Sequence, residues 1–317
     1  MNTINGVLAA ALLATVAVQS ATAEVSNQAR SSIDRILGSK GTYVADDAVY
    51  KVVLPREEAT IVLDSQTLSP NLGLNSWAAF SSAVHHEAIL TGQFLLLEDE
   101  VDDVLTAVLD AGLEVTGLAS LSLFQGPRLA TLDITAVGSF QELASAFRKG
   151  LNESRRVRRD AIRPTKRFAL PEIPLESSID PGPLNAILST RGAVSGGVFK
   201  AALGRRTLLH GEVVGREMGF SSWFTFAGNN HQCLTHGELV VTSDELLKVL
   251  KALRAKKFSV ASIRNHTAGE HPQFLFVRFW AQGDSVELAK GLRYTLDVQF
   301  GATATGSTGH KIYKDFQ

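Results

Sequence analysis

Cysteine is nearly absent from this sequence, which has a single one, Cys233, among its 317 residues. An internal disulfide is therefore excluded, and a chain of this size can do without one because it has enough apolar residues to bury a core. Cys233 lies in no CxxC pattern and has no basic cluster beside it. We therefore predict a small buried side chain at this position and not a nucleophile.

A surplus of charge of either sign is missing as well. The chain has 31 Lys and Arg against 32 Asp and Glu, which gives a net charge of −1, and 45% of its residues are hydrophobic. This composition is typical of a soluble globular protein. No global feature indicates nucleic acid as a partner, so the partner that we expect is a small-molecule or polymeric ligand.

The apolar run near the start of the chain is too short to span a membrane. Residues 7–18 are mostly apolar, about a dozen residues against the roughly 20 that a spanning helix needs. Ala21 and Ala23 follow at the spacing of a signal-peptide cleavage site, although residues 1–6 contain neither Lys nor Arg. We predict a signal peptide at residues 1–23, cleaved after Ala23, and thus a secreted or periplasmic protein without a transmembrane span.

What the sequence does contain is a copy of itself. Residues 86–151 align without a gap with residues 231–296, at a spacing of about 145 residues. The matched pairs include Gly92 with Gly237, Glu100 with Glu245, Pro127 with Pro272, Gly138 with Gly283 and Arg148 with Arg293. A period of this length indicates a duplicated domain-sized unit, because solenoid repeats are roughly 20 to 50 residues long.

The duplication divides the chain into units. We predict repeat unit 1 at residues 32–151, a basic, proline-containing linker at 152–182, repeat unit 2 at 183–298 and a flexible C-terminal tail at 299–317. Both units have the size of a domain.

Each unit has a β-rich start followed by a strand, helix, strand, strand, helix pattern. Val101, Val104 and Val108 recur at helical spacing in unit 1, and Thr242 with Glu245 forms a capping box in unit 2. The sequence therefore predicts an α+β fold of two tandem repeats, each an antiparallel sheet with two helices packed on one side. A pseudo-twofold axis should relate the two repeats. Residues 274–280, apolar on both faces, predict a central covered strand.

The sharpest cluster of chemically capable side chains lies in unit 2. Asn265, His266, Glu270 and His271 fall in a turn between two predicted strands. Two imidazoles and a carboxylate suit a zinc-like divalent metal, and His266 with Glu270 equally suits a general acid and base pair. The spacing is not that of an HExxH helix. A turn stabilised by ordinary hydrogen bonds is the alternative.

The duplicated unit, the export signal, a Gly-x-x-Ser-Trp segment that ends at Trp223 and the Asn-His-x-x-x-Glu-x-Pro turn together resemble the LppY/LpqO-type family. That family is a bacterial secreted domain of unknown function. Its pattern has histidines where this chain has Arg264 and Arg278, and an arginine where this chain has Gln273. If the family site is a multi-histidine metal centre, these replacements remove ligands and add positive charge. They favour an anionic ligand such as a carboxylate or phosphate.

The sequence thus favours an exported binding protein whose second repeat holds the ligand. The predicted ligand-binding residues are Asn265, Arg264, Arg278 and Trp223, and the candidates for catalysis are His266 and Glu270. Repeat 1 has Leu121 and Gln125 where repeat 2 has His266 and Glu270.

Two alternatives stay open, and the sequence names no reaction. One is a metal-dependent hydrolase or lyase with a zinc-like ion on His266, Glu270 and His271. The other is a non-catalytic structural or interaction protein of the cell envelope.

Overall fold

The computed structural model describes residues 24–56, 61–63, 66–67, 74–121, 125–161, 164 and 172–301. The predicted signal peptide, part of the predicted linker and most of the predicted tail lie outside the described residues. Within these ranges, no helix combines the length and the apolar character needed to cross a membrane.

Repeat 1 contains three helices and nine strands among its described residues. They are α1 (Asn27–Leu37), β1 (Thr42–Val44), β2 (Val49–Pro55), β3 (Val62–Leu63), β4 (Gln66–Thr67), β5 (Asn75–Ser82), β6 (Ala88–Leu97), α2 (Val101–Asp110), β7 (Glu114–Ser120), β8 (Gln125–Gly126), β9 (Leu129–Gly138) and α3 (Phe140–Asp160).

Repeat 2 has the same order of elements. They are α4 (Pro181–Leu188), β10 (Ala193–Ser195), β11 (Val198–Gly204), β12 (Thr207–Leu209), β13 (Glu212–Val214), a 3-10 helix (Arg216–Met218), β14 (Ser221–Gly228), β15 (Cys233–Val241), α5 (Ser243–Ala255), β16 (Ser259–Asn265), β17 (Glu270–His271), β18 (Leu275–Gly283) and α6 (Ser285–Phe300). The capping box predicted at Thr242 and Glu245 is confirmed at the start of α5.

Both repeats contribute to one antiparallel sheet of twelve strands, in the order β1-β2-β5-β6-β9-β7-β16-β18-β15-β14-β11-β10. Outward from the central pair β7 and β16, equivalent strands of the two repeats follow in the same order, β9-β6-β5-β2-β1 on one side and β18-β15-β14-β11-β10 on the other. The α+β fold in two tandem copies is therefore confirmed, and the order has the pseudo-twofold symmetry that the repeat predicts. The central pair is short, with Ile263 opposite Leu118 as its register.

One side of the sheet is covered by the helices and holds the main core. Val277 and Phe279 of β18 point into this core, where Phe94 and Phe147 stack with ring centroids 4.2 Å apart. Because successive side chains of a strand point to opposite faces, Arg278 and Trp280 belong to the other side, which we call the helix-free face. Both are only half-buried. The strand predicted at 274–280 is central, but it is not covered on both faces along its whole length.

A helix at the start of each repeat was not predicted. Only Ile33 and Leu37 are buried in α1, which gives too weak an apolar period to be recognised in the sequence. Two matched arginines bind the C-terminal ends of these leading helices. Arg148 donates to the Leu37 carbonyl at 2.7 Å, and Arg293 donates to the Leu188 carbonyl at 3.3 Å. The pairing of Arg148 with Arg293 in the sequence therefore has a structural origin.

Each repeat adds a small three-stranded sheet to the large one. The sheet β4-β3-β8 lies in repeat 1, and the sheet β13-β12-β17 lies in repeat 2. The second encloses an apolar cluster with Val214, Phe220, Val240, Phe274 and Phe276. This cluster forms a wall beside the exposed part of the helix-free face.

Candidate functional site

The polar side chains that the two repeats share are engaged inside the scaffold. Arg56 is in a buried ion pair with Glu100, and Arg205 is paired with Glu245 at 2.7 Å. The hydroxyls of Ser76 and Ser222 each accept a backbone N–H of the neighbouring strand at 2.9 Å. Shared polar residues therefore maintain the fold, and functional residues are to be sought among the polar residues that differ.

One row of residues on the helix-free face differs strongly between the repeats. In repeat 2, β-sheet register places Trp223 opposite Glu238, Glu238 opposite Arg278 and Arg278 opposite Ser262. The equivalent row of repeat 1 consists of Trp77, Gln93, Asp133 and Gly117. The tryptophan is retained, whereas Gln93 is replaced by Glu238 and Asp133 by Arg278.

Two arginines converge on one carboxylate in repeat 2. Arg264 Nη2 lies 3.1 and 3.0 Å from the two carboxylate oxygens of Glu238, and Arg278 Nη2 lies 3.2 Å from Oε2. Glu238 is buried, whereas the side chains of Arg264 and Arg278 are 39% and 41% exposed. Within the described part of the chain, Arg278 Nε is buried without a hydrogen-bond partner. The cluster carries excess positive charge, and its two arginine side chains are partly exposed to solvent.

Aromatic rings and a further cation lie next to this cluster. The rings of Trp223 and His236 are edge to face with centroids 5.2 Å apart, and Lys200 Nζ lies 5.9 Å from the Trp223 ring. Burial and the nearby charge of Arg278 lower the pKa of His236, although Glu238 opposes the shift. His236 therefore carries a neutral imidazole at neutral pH.

The predicted histidine and glutamate cluster is divided between the wall and the surface. The His266 ring packs on Phe276 and Phe220, with centroid distances of 4.9 and 5.7 Å. Glu270 is buried, and its Oε1 accepts the Phe274 N–H at 3.4 Å. His271 is exposed. Among the described residues, no group of three or more His, Cys, Asp or Glu could hold a metal ion.

The ionisation of Glu270 suits a structural acceptor. Burial by itself would raise its pKa, but the Thr267 hydroxyl, backbone N–H groups that include that of Phe274 and the nearby His266 outweigh burial and lower the pKa. A carboxyl with a low pKa has no proton to donate at neutral pH. Glu270 is therefore ionised at neutral pH and accepts a backbone N–H in the turn after β16, next to which Asn265 is exposed at the strand end.

Cys233 is fully buried, as predicted. Burial raises the pKa of its thiol to about 12, so the thiolate that would act as a nucleophile is not formed at neutral pH.

A cavity between the two repeats was not predicted from the sequence. Its volume is about 610 Å³, and it lies where β7 and β9 of repeat 1 approach β16 and β18 of repeat 2. The polar and aromatic residues around it include Glu98, Asp102, Ser120 and Arg128 from repeat 1 and Ser259, Trp280 and Gln282 from repeat 2. One feature of the sequence could have indicated the cavity. Most of these residues stand opposite a different residue type when the two repeats are aligned.

Three comparisons relate the chain to known proteins. A family model described as "Domain of Unknown Function (DUF1259)" matches residues 31–153 and 182–298, which confirms two tandem copies of one domain. No curated protein matches the chain. Among solved structures, a trimeric bacterial microcompartment shell protein, PduB, matches with 10% identity and a TM-score of 0.21, over 84% of this chain and 94% of that chain. So low a TM-score carries no argument about fold or function.

Proposed function

The chain belongs to the Domain of Unknown Function (DUF1259) family, and we propose that it is an exported binding protein whose second repeat holds an anionic ligand. The observation that carries the proposal is the pair of half-exposed guanidinium groups, Arg264 and Arg278, on the single carboxylate of Glu238. Export follows from the predicted signal peptide at residues 1–23, and the finer resemblance to LppY/LpqO-type proteins stays a prediction that agrees with it.

The two guanidinium groups would bind the anion directly. A guanidinium donates parallel N–H bonds that match the oxygens of a carboxylate or phosphate, and the Glu238 carboxylate holds both arginines in place before the ligand arrives. This preorganisation lowers the entropic cost of binding. One negative charge against two positive charges leaves the cluster with an attraction for a further anion.

The neighbouring residues would determine the shape of the ligand. The half-exposed ring of Trp223 offers an apolar surface for the uncharged part of the ligand, and the neutral imidazole of His236 offers one donor and one acceptor. Asn265 follows Arg264 at the end of β16, where it is exposed. His266 and Glu270 would support the wall and not take part in a reaction.

Titration of the protein with inorganic phosphate and with citrate, followed by calorimetry at low ionic strength, tests this proposal. We expect binding of at least one of the two anions and a loss of at least tenfold in affinity in the variant Arg264→Gln/Arg278→Gln, because a charged hydrogen bond contributes about 1.5–3 kcal/mol. In this double variant the Glu238 carboxylate loses both of its arginine partners. The triple variant that also contains Glu238→Gln removes this carboxylate, so that its negative charge cannot be the cause of the lost affinity.

The matched control is Arg35→Gln/Arg191→Gln, which removes the same charge from two exposed arginines elsewhere. We expect this control to bind like the unchanged protein. The proposal is rejected if the protein binds neither anion. It is also rejected if both double variants lose the same affinity, since that result would indicate only a general effect of charge.

A further inference from the structure

The cavity between the repeats has the size and composition of a ligand pocket, and we infer that it binds a neutral sugar ring. Its lining shares no residue with the proposed anion site, although Trp280 lies opposite His236 in the sheet register, and the inference does not depend on that site. Its volume of about 610 Å³ falls in the range of roughly 300–1,000 Å³ that is usual for pockets of small ligands. Because both repeats line it, the pocket exists only in the duplicated protein.

Two exposed charged side chains of opposite sign line the cavity. Glu98 and Arg128 come from neighbouring segments of repeat 1, where the Glu98 N–H donates to the Arg128 carbonyl at 3.2 Å. In the part of the chain that the structure describes, neither side chain takes part in an ion pair or a hydrogen bond. A planar carboxylate accepts, and a planar guanidinium donates, two hydrogen bonds at the spacing of adjacent hydroxyl groups. This pair therefore matches a ring that carries several hydroxyls.

The remaining carboxylates of the cavity are neutralised by internal partners. Asp99 is in an ion pair with Arg158, and Asp102 Oδ1 lies 2.9 Å from Arg254 Nη1. The charges that remain, on Glu98 and Arg128, cancel. A lining without net charge favours a neutral polar ligand over an ion.

An indole completes the lining on the side of repeat 2. Trp280 is half-buried and lies on the same face of β18 as Arg278. Sugar rings have an apolar face of C–H groups, which packs against an aromatic ring while the hydroxyls bind polar side chains. Ser120 and Gln282 add neutral polar groups to the same lining.

The base of the pocket is fixed by contacts between the repeats. Ser259 Oγ donates to Asp102 Oδ2 at 2.5 Å, and Arg254 Nε donates to Thr106 Oγ1 at 3.0 Å. Asp102 and Ser259 are buried. Such a network holds the lining in place before a ligand binds, which reduces the entropy lost on binding.

The lining of the pocket differs from the equivalent positions at the other end of the central strand pair. At the other end of the central strand pair, the repeat alignment places Thr135 for Trp280, Val137 for Gln282 and Gln273 for Arg128. It also places Ser243 for Glu98 and Leu247 for Asp102. Both ends support the same sheet, yet only one has this set of aromatic, charged and amide side chains. We expect such a difference in side chains if one end of the central strand pair binds a ligand and the other does not.

Tryptophan fluorescence can report on this pocket because the chain has three tryptophans. The variant Trp77→Phe/Trp223→Phe leaves Trp280 as the only one, and Trp223→Phe/Trp280→Phe leaves Trp77 as the control. Each is titrated with neutral monosaccharides and with neutral oligosaccharides of two to four units, with glucose, galactose, mannose and N-acetylglucosamine as building blocks. We expect a saturable change in Trp280 emission with at least one sugar and no change in the control.

The charged side chains provide the second arm of the test. In the Trp280 reporter, Glu98→Gln and Arg128→Gln should each weaken the response to that sugar at least tenfold, whereas both exposed substitutions should leave the circular dichroism unchanged. The inference is overturned if no sugar gives a saturable response, or if a response persists unchanged in both variants. It is also overturned if Trp77 responds equally.

Discussion

A buried carboxylate that pairs with two arginines lies on the helix-free face of repeat 2. Repeat 1 has Gln93 in place of this residue, Glu238, and there the Gln93 side chain donates to Asp133 at 2.7 Å. The exchange of Gln for Glu and of Asp for Arg moves the carboxylate to the other strand of the pair and places a guanidinium opposite it. In repeat 1 the polar pair satisfies itself, whereas in repeat 2 the arginines retain exposed N–H groups. The same scaffold thus has one inert row and one row suited to an anion.

The pKa of His236 should lie below the usual imidazole value of about 6.5, because burial and the charge of Arg278 both disfavour protonation. The variant Arg278→Gln should raise this pKa only in part, since burial is the larger cause. Because the folded pKa lies below the unfolded value of about 6.5, the folded state binds this proton less readily than the unfolded state. The free energy of unfolding therefore falls as the pH drops from about 6.5 to the folded pKa of His236, and His236 has no effect on it at higher pH. Titration by NMR measures the pKa directly, and a value of 6.5 or higher would contradict the assignment.

Arg264, Arg278 and Trp223 could be singled out from the sequence, but Glu238 could not. The arginines attract notice because they replace histidines of a resembling pattern, whereas Glu238 lies within a strand where nothing local indicates a partner. His266 and Glu270 attracted notice by their proximity in one turn. The packing of the His266 ring depends on Phe220 and Phe276, which come from other segments of the chain.

At the scale of elements, the repeats are joined by a short strand pair and by contacts of α2 with repeat 2. The Asp102 carboxylate of α2 binds the Arg254 guanidinium of α5 and the Ser259 hydroxyl of β16. By the repeat alignment, the equivalents of Asp102 and Arg254 are Leu247 and Leu109. One end of the central pair therefore has a buried ion pair where the other has two leucines.

Removal of one partner of this ion pair should be costly, and removal of both should not. We expect Asp102→Leu to lower the free energy of unfolding by about 3–5 kcal/mol, because it removes the carboxylate that lies 2.9 Å from the buried Arg254 guanidinium. The double variant Asp102→Leu/Arg254→Leu should recover most of this loss, since apolar residues can replace a buried pair. Urea denaturation measures both values.

The matched control for this experiment is Lys290→Met, which breaks an exposed pair with Glu287. It should change the free energy of unfolding by less than about 1 kcal/mol. If the single and double variants at the central contact were equally unstable, the ion pair itself would not be the cause.

The helices and strands with a clear apolar period were predictable, and those without one were not. The helix predicted from the spacing of Val101, Val104 and Val108 is α2. The leading helices α1 and α4 were missed because few of their residues are buried, so they depend on packing against α3 and α6. Their position is fixed by arginines more than 100 residues away in the chain.

At the scale of the whole molecule, duplication explains both the fold and the location of its sites. The repeat predicts two equivalent units about a pseudo-twofold axis, and the twelve-stranded order agrees with this. The sequence could not indicate that the sheets join edge to edge or that a cavity lies at the junction. Both depend on contacts between residues such as Leu118 and Ile263, which are distant in the chain and apolar in character.

The most direct test of the proposed anion site is a crystal of the protein soaked in selenate, an oxyanion whose position is visible by anomalous scattering. The proposal predicts an anomalous peak for a selenate ion beside Arg264 and Arg278. The oxygens of this ion should lie about 2.7–3.2 Å from the guanidinium nitrogens. The peak should be lost in Arg278→Gln crystals, and no peak should lie beside Asp133 in repeat 1. A map without a peak at the two arginines, or with equal peaks in both repeats, would contradict the proposal.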